Sequence, residues 1–226
     1  VALVEELRAQ IEAQAYQHGV DLVGVAPLGE EAGPFHLLPE EVIRRFTSAV
    51  CLAARVFPTV LETVTQGPSL IYYHHYRQLN YLLDRAALAV ARWIEARGFR
   101  ALPVAASQVV DWERQLGHVS HKRLAYLAGL GWRGRNNLLV TPKYGAQVRL
   151  VSILTDLPLN PGRPLQRDCS SCRRCLEACP AGAIRDNPGD FDLSACLAKL
   201  KEFTRTRGIG QYVCGVCVRA CPGKGN

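Results

Sequence analysis

The chain has 226 residues, 48% of them hydrophobic and 21% charged, with 27 Lys+Arg against 20 Asp+Glu for a formal charge of +7. At roughly 100–200 residues per domain this allows one large domain or one with a smaller companion, and the composition excludes general disorder and a small disulfide-stapled scaffold. No apolar run approaches the ~18 residues of a membrane span, and Val1-Ala-Leu-Val-Glu-Glu-Leu7 lacks the basic and apolar regions of a signal peptide, so a cytoplasmic protein without a membrane partner is expected.

Leu3, Leu7 and Ile11 at four-residue spacing predict an amphipathic helix over 3–17, stopped by Gly19. A short strand over 22–25 follows, and the β-branched and small residues of 47–57, ending before Pro58, predict a buried strand that holds Cys51 as an inert core thiol. Leu79, Leu83, Ala86, Val90 and Ile94 form one stripe of a helix over 77–97, with Gly98 as its C-terminal stop. Just before it, Tyr72, Tyr73 and Tyr76 beside His74 and His75 form either core or a ligand wall. A strand over 99–105, a helix N-capped by Ser120 through Ala128, a strand over 137–140 and a long strand over 147–155 complete an alternating α/β (α+β) pattern. The Pro/Gly-rich stretch 157–164 is the expected linker, dividing the chain into domains 1–160 and 161–226.

Eight of the nine cysteines fall between Cys169 and Cys221. In a cytosolic chain such short-spaced runs point to metal rather than disulfides. Cys169-x-x-Cys172-x-x-Cys175-x-x-x-Cys179-Pro180 has the spacing of a bacterial [4Fe–4S] ferredoxin segment, whose fourth cysteine serves a second cluster. The second run is Cys196 and then Cys214-x-x-Cys217-x-x-x-Cys221-Pro222. Crossed ligation predicts one cluster on Cys169, Cys172, Cys175 and Cys221 and another on Cys179, Cys196, Cys214 and Cys217. Zinc explains neither the third cysteine at x-x spacing nor the two Cys-Pro pairs. Two such clusters on thiolates add about −4, so the basic balance alone says little about partners.

Gly129-Leu-Gly131-Trp-Arg-Gly134 matches the dinucleotide GxGxxG pattern, but it follows a helix and precedes a strand, the reverse of the context a pyrophosphate needs. A backbone-permissive loop remains, with Trp132, Arg133, Arg135, Asn136 and Asn137 able to approach a large flat or amide-bearing ligand.

Ala128-Gly-Leu-Gly-Trp-Arg-Gly-Arg-Asn-Asn-Leu-Leu-Val140, then Tyr144-Gly145, then Leu154-Thr-Asp-Leu-Pro-Leu159, then the two cysteine runs, resembles the epoxyqueuosine reductase family and, more distantly, reductive dehalogenases. The resemblance covers 100–222 best. It implies a nitroreductase-like α/β domain that binds base-off cobalamin, followed by a ferredoxin-like domain that feeds it electrons. It also suggests Ser120, Lys122, Gly129, Leu130, Gly131, Trp132, Gly134, Asn136 and Asn137 as cofactor contacts. The family's aspartate acid, proline and glutamate fall at Gln115, His118 and His121 here. Glutamine cannot donate a proton, which leaves His118, His121 or nearby Asp111 as acids. On that ground the expected activity is reduction, upper-ligand removal or trafficking of a corrinoid. Its partners would be a low-potential electron donor and a corrinoid or corrinoid-using protein. Epoxyqueuosine reduction in tRNA and plain ferredoxin-like electron carriage are the alternatives.

Overall fold

The computed structural model describes residues 2–223. Its helices are α1 (Ala2–Gln17), α2 (Glu40–Ile43), α3 (Pro58–Glu62), α4 (Leu70–Glu95), α5 (His121–Leu127), α6 (Arg174–Ala178), α7 (Leu193–Thr206) and α8 (Val216–Arg219). Its strands are β1 (Leu22–Pro27), β2 (Ser48–Arg55), β3 (Ala101–Val104), β4 (Trp132–Arg133), β5 (Leu139–Val140) and β6 (Val148–Thr155). The expected α/β pattern is present. The main difference is α4, which begins at Leu70 rather than Arg77 and so includes Tyr72, His74, His75 and Tyr76.

Two compact units divide the chain. The first combines 1–54, 79–130 and 149–165 and is built on a four-stranded sheet of order β1-β2-β6-β3. β1 runs antiparallel to β2, with Leu22 opposite Ala53, and β3 antiparallel to β6, with Ala101 opposite Thr155. β2 is central and buried almost throughout, which accounts for its continuous apolar run, and Cys51 lies inside it as expected. Leu83, Ala86, Val90 and Ile94 of α4 belong to the same core, confirming the stripe read from their spacing. α5 packs on β1, where Gly24 leaves room for Leu130 and Ala128: a Cβ at that glycine would lie 2.9 Å from Leu130.

The second unit combines 55–78, 131–148 and 166–226. Its small sheet is the hairpin β4–β5, with Trp132 opposite Val140. This division differs from a single cut near residue 160 in two respects. The cysteine-bearing segment is poor in large apolar residues and draws in two earlier stretches, 55–78 and 131–148, to complete its packing. The expected linker is also part of the first unit: Leu157 and Leu159 are buried there, and Gly162 N donates to Val25 O at 2.8 Å. Its prolines reflect a strap without ladder hydrogen bonds rather than a free connection.

Candidate metal centre

The eight clustered cysteines form two neighbourhoods. Burial pushes the Cys175 thiol up to about 11, and Cys221, Cys169 and Cys172 add to it as adjacent negative charges. Burial likewise pushes Cys214 up to about 11, with Cys196 and Cys179 as its charged neighbours. Cys217 is raised well above the ordinary thiol range by desolvation and then by Cys214, Cys196 and Cys179, and it also feels Cys175. Cys169, Cys172, Cys175 and Cys221 thus act on one another, as do Cys179, Cys196, Cys214 and Cys217, and Cys217 feels both groups. Four converging thiolates repel one another, and a cationic iron–sulfur core removes that penalty, so the donor set fits two clusters. Among the described residues no three of Cys, His, Asp and Glu close on one point as a single metal ion requires. A cubane, whose four irons each take one thiolate, sets its ligands further apart than one ion does.

The first group is held by residues far away in sequence. Arg135 donates Nε to Asp186 O at 2.7 Å, and its two terminal nitrogens to Cys172 O and Ser170 O at 2.8 Å each. Arg133 donates to Pro188 O at 3.1 Å. Both arginines are therefore spent on the backbone around the first cysteine run. Arg174 hydrogen-bonds the Cys172 thiol and holds its pKa below the ordinary range. Cys221 is seated by Gly145, which adopts φ +57: a Cβ there would meet Cys221 O at 2.1 Å, and the following Ala146 N donates to that same oxygen at 3.0 Å. In the second group Gly215, at φ +83 between Cys214 and α8, lies against the ring of buried Tyr72. Tyr72 is thus core, and His75 Nε2 accepts from Phe57 N at 3.1 Å.

The glycine loop is occupied by the chain itself. A Cβ at Gly129 would lie 2.6 Å from Arg163 O, one at Gly131 2.2 Å from Val140 O, and one at Gly134 2.5 Å from Val140 Cγ2. These glycines permit close backbone approaches within the fold itself, a role that accounts for them without a ligand. Asn137, at φ +57, takes a hairpin-turn conformation that asparagine tolerates. Ser120 caps α5 by accepting from Arg123 N, Lys122 is exposed, and Leu130 packs at Gly24. Two atoms of the expected cofactor set stand apart: Trp132 Nε1 and Asn136 Nδ2 are buried donors with no partner among the described residues. A buried unpaired donor is costly, and Asn136 Nδ2 suits the amide-rich periphery of a corrin.

Of the acid candidates, His121 has both ring nitrogens engaged, Nδ1 with Ser152 Oγ at 3.0 Å and Nε2 with Ala105 O at 2.9 Å. Burial lowers its pKa, with Arg149 acting in the same direction. His118 Nδ1 donates to His36 O at 2.8 Å, which leaves Nε2 as its second proton position. Asp111 accepts from Arg114 N at 2.8 Å and Nε at 2.9 Å, and these bonds hold it below the ordinary carboxylate range. It is a carboxylate at neutral pH and a poor proton donor. Gln115 sits at φ +56 in the same turn and donates to Trp112 O.

Residues 168–224 match the model of a 4Fe-4S double cluster binding domain. The chain is thus an iron–sulfur protein with a two-cluster domain. It is 33% identical over 195 residues to the epoxyqueuosine reductase of Gloeobacter violaceus, which covers 81% of this chain and 58% of that relative. Its fold resembles an epoxyqueuosine reductase solved with an epoxyqueuosine-modified tRNA stem loop (TM-score 0.64, 23% identity, 97% of this chain and 65% of the other). It also resembles a reductive dehalogenase described as carrying out B12-dependent dehalogenation (TM-score 0.73, 22% identity, 94% and 31%). The chain is a homologue of the epoxyqueuosine reductases and spans less than two thirds of the length of those it matches. Among the described residues no helix is long and apolar enough to cross a membrane.

Proposed function

We propose that the chain works as an iron–sulfur oxidoreductase of the epoxyqueuosine reductase type, with cobalamin bound and epoxyqueuosine-bearing tRNA as substrate. The observation that carries this reading is the 33% identity to an epoxyqueuosine reductase across 81% of the chain. Cobalamin, when bound, supplies low-valent cobalt, and the likeness to a B12-dependent dehalogenase supports its presence. The same identity supports this reading over the expected one, reduction, upper-ligand removal or trafficking of a corrinoid.

Crossed ligation places Cys169, Cys172, Cys175 and Cys221 around one cluster and Cys179, Cys196, Cys214 and Cys217 around the other, giving electrons from a low-potential donor two adjoining stations. Asn136 would hold the corrinoid through its unpartnered Nδ2, its Oδ1 accepting from Leu138 N. Removing an epoxide oxygen as water takes two electrons and two protons. His118, anchored at Nδ1 on His36 O, carries one proton at Nε2 in place of the family's aspartate, and solvent supplies the other. Gln115 favours a second reading, reduction of a corrinoid itself, because electron transfer to cobalt needs no acid.

One anaerobic experiment separates them. Reconstituted protein is incubated with hydroxocobalamin, desalted, reduced and given an epoxyqueuosine-bearing tRNA stem loop. Conversion with loss of one oxygen, abolished in His118→Ala, is the expected result. Retained corrin bands with cobalt reduction but no tRNA conversion assigns the corrinoid reading. Absence of corrin bands leaves only an electron carrier.

A further inference from the structure

The Trp132 indole N–H is buried and lacks an acceptor among the described residues. Its surroundings are specific. Trp132, Val140 and Ala146 form one small core cluster, and Leu138, Cys169 and Cys221 pack against it. The first three and Leu138 offer no side-chain acceptor, whereas Cys169 and Cys221 belong to the same thiol neighbourhood. Both sides of this contact are fixed. Trp132 pairs with Val140 across the hairpin, where Gly131 admits Val140 O, and Cys221 is seated on Gly145 and Ala146. Cysteine thiolates and cluster sulfides accept N–H hydrogen bonds, and such bonds set cluster potentials.

We infer that Trp132 donates its indole N–H to a sulfur of the cluster bound by Cys169 and Cys221, and so raises the reduction potential of that cluster. The inference rests on the two-cluster reading. An N–H···S bond strengthens as the cluster gains negative charge, so it stabilises the reduced state more than the oxidised one. Trp132 is in this sense a tuning residue: it exchanges no electron and binds no iron.

The test is Trp132→Phe, which keeps an aromatic ring and removes the donor. Redox titration followed by electron paramagnetic resonance should show both clusters present. One of them should become harder to reduce by about tenfold in its equilibrium constant, the loss of about one hydrogen bond to a charged group, which is about 59 mV for a one-electron couple. The other should be unmoved. A second measurement uses protein labelled with tryptophan carrying ¹⁵N at the indole nitrogen alone, with Trp93→Phe and Trp112→Phe as controls for the other two indoles. Pulsed resonance should detect ¹⁵N coupling to the reduced first cluster, even if the variant fails to fold. Unchanged potentials in an iron-replete variant, or no ¹⁵N coupling in the wild type, overturn the inference. Wild-type protein that binds no iron and sulfide overturns the cluster reading beneath it.

Discussion

The two units reach stability by different means. Of the twelve largest fully buried side chains among the described residues, ten lie in the sheet unit and only Leu61 and Ile209 in the cysteine unit. At about 1.5–3 kcal/mol for each fully buried large aliphatic side chain, the sheet unit has a conventional core. The cysteine unit instead relies on an arginine pin, glycine-permitted backbone contacts and its thiols. It resembles a small scaffold in which bound metal takes over part of the work of a core. Mutations that are mild in one unit should therefore be severe in the other.

The largest effect should come from Cys175→Ala. Iron and sulfide analysis should fall from about eight to about four of each per chain, one [4Fe–4S] cluster lost and one kept. Cys51→Ala, in the sheet unit, should leave both clusters in place. Zinc without sulfide in the wild type would break the contrast altogether. A smaller change is expected for Arg135→Ala, which removes three hydrogen bonds to carbonyls around the first run. A cost of about 1–2 kcal/mol should appear as faster loss of iron to a chelator, with the unfolding of the sheet unit unmoved.

The smallest effect concerns pH in the sheet unit. Burial holds His121 below its ordinary value of 6.5, so the unfolded chain takes up the proton first on acidification. The stability contributed by neutral His121 is present above about pH 6.5 and declines as pH falls below it. Urea unfolding followed by sheet-unit fluorescence should show that slope, and His121→Gln should flatten it. A slope unchanged in the variant would assign the pH dependence to other groups.

Much of the sheet unit was legible because its signals are local. The stripe from Leu79 to Ile94, the apolar run of β2 and the Ser120 cap each occupy one stretch of chain and folded as their spacing implied. The cysteine spacings were equally local. What escaped notice lies in contacts between distant residues. Nothing near Gly131 announces Val140 O, nothing near Gly145 announces Cys221 O, and Arg135 reads as a ligand-facing charge until Ser170 and Cys172 come to face it. The start of α4 was missed because its aromatic and histidine residues carry no clear stripe before Arg77.

Gly145 as the seat of Cys221 also bears on the order of events during synthesis. Cys221 is made 46 residues after Cys175, an interval of about 2–9 s at ~5–20 residues per second. Throughout it, Cys169, Cys172 and Cys175 stand without their fourth partner. Arg174, only two residues from Cys172, holds that thiol below its ordinary range and so raises its reactive thiolate fraction. The nascent chain thus passes through a stage in which its most oxidisable sulfur is present and its protecting cluster is not. Cells making this protein in air should accumulate chains damaged at Cys172, whereas oxidant added after the cluster has closed should find that sulfur already bound to iron.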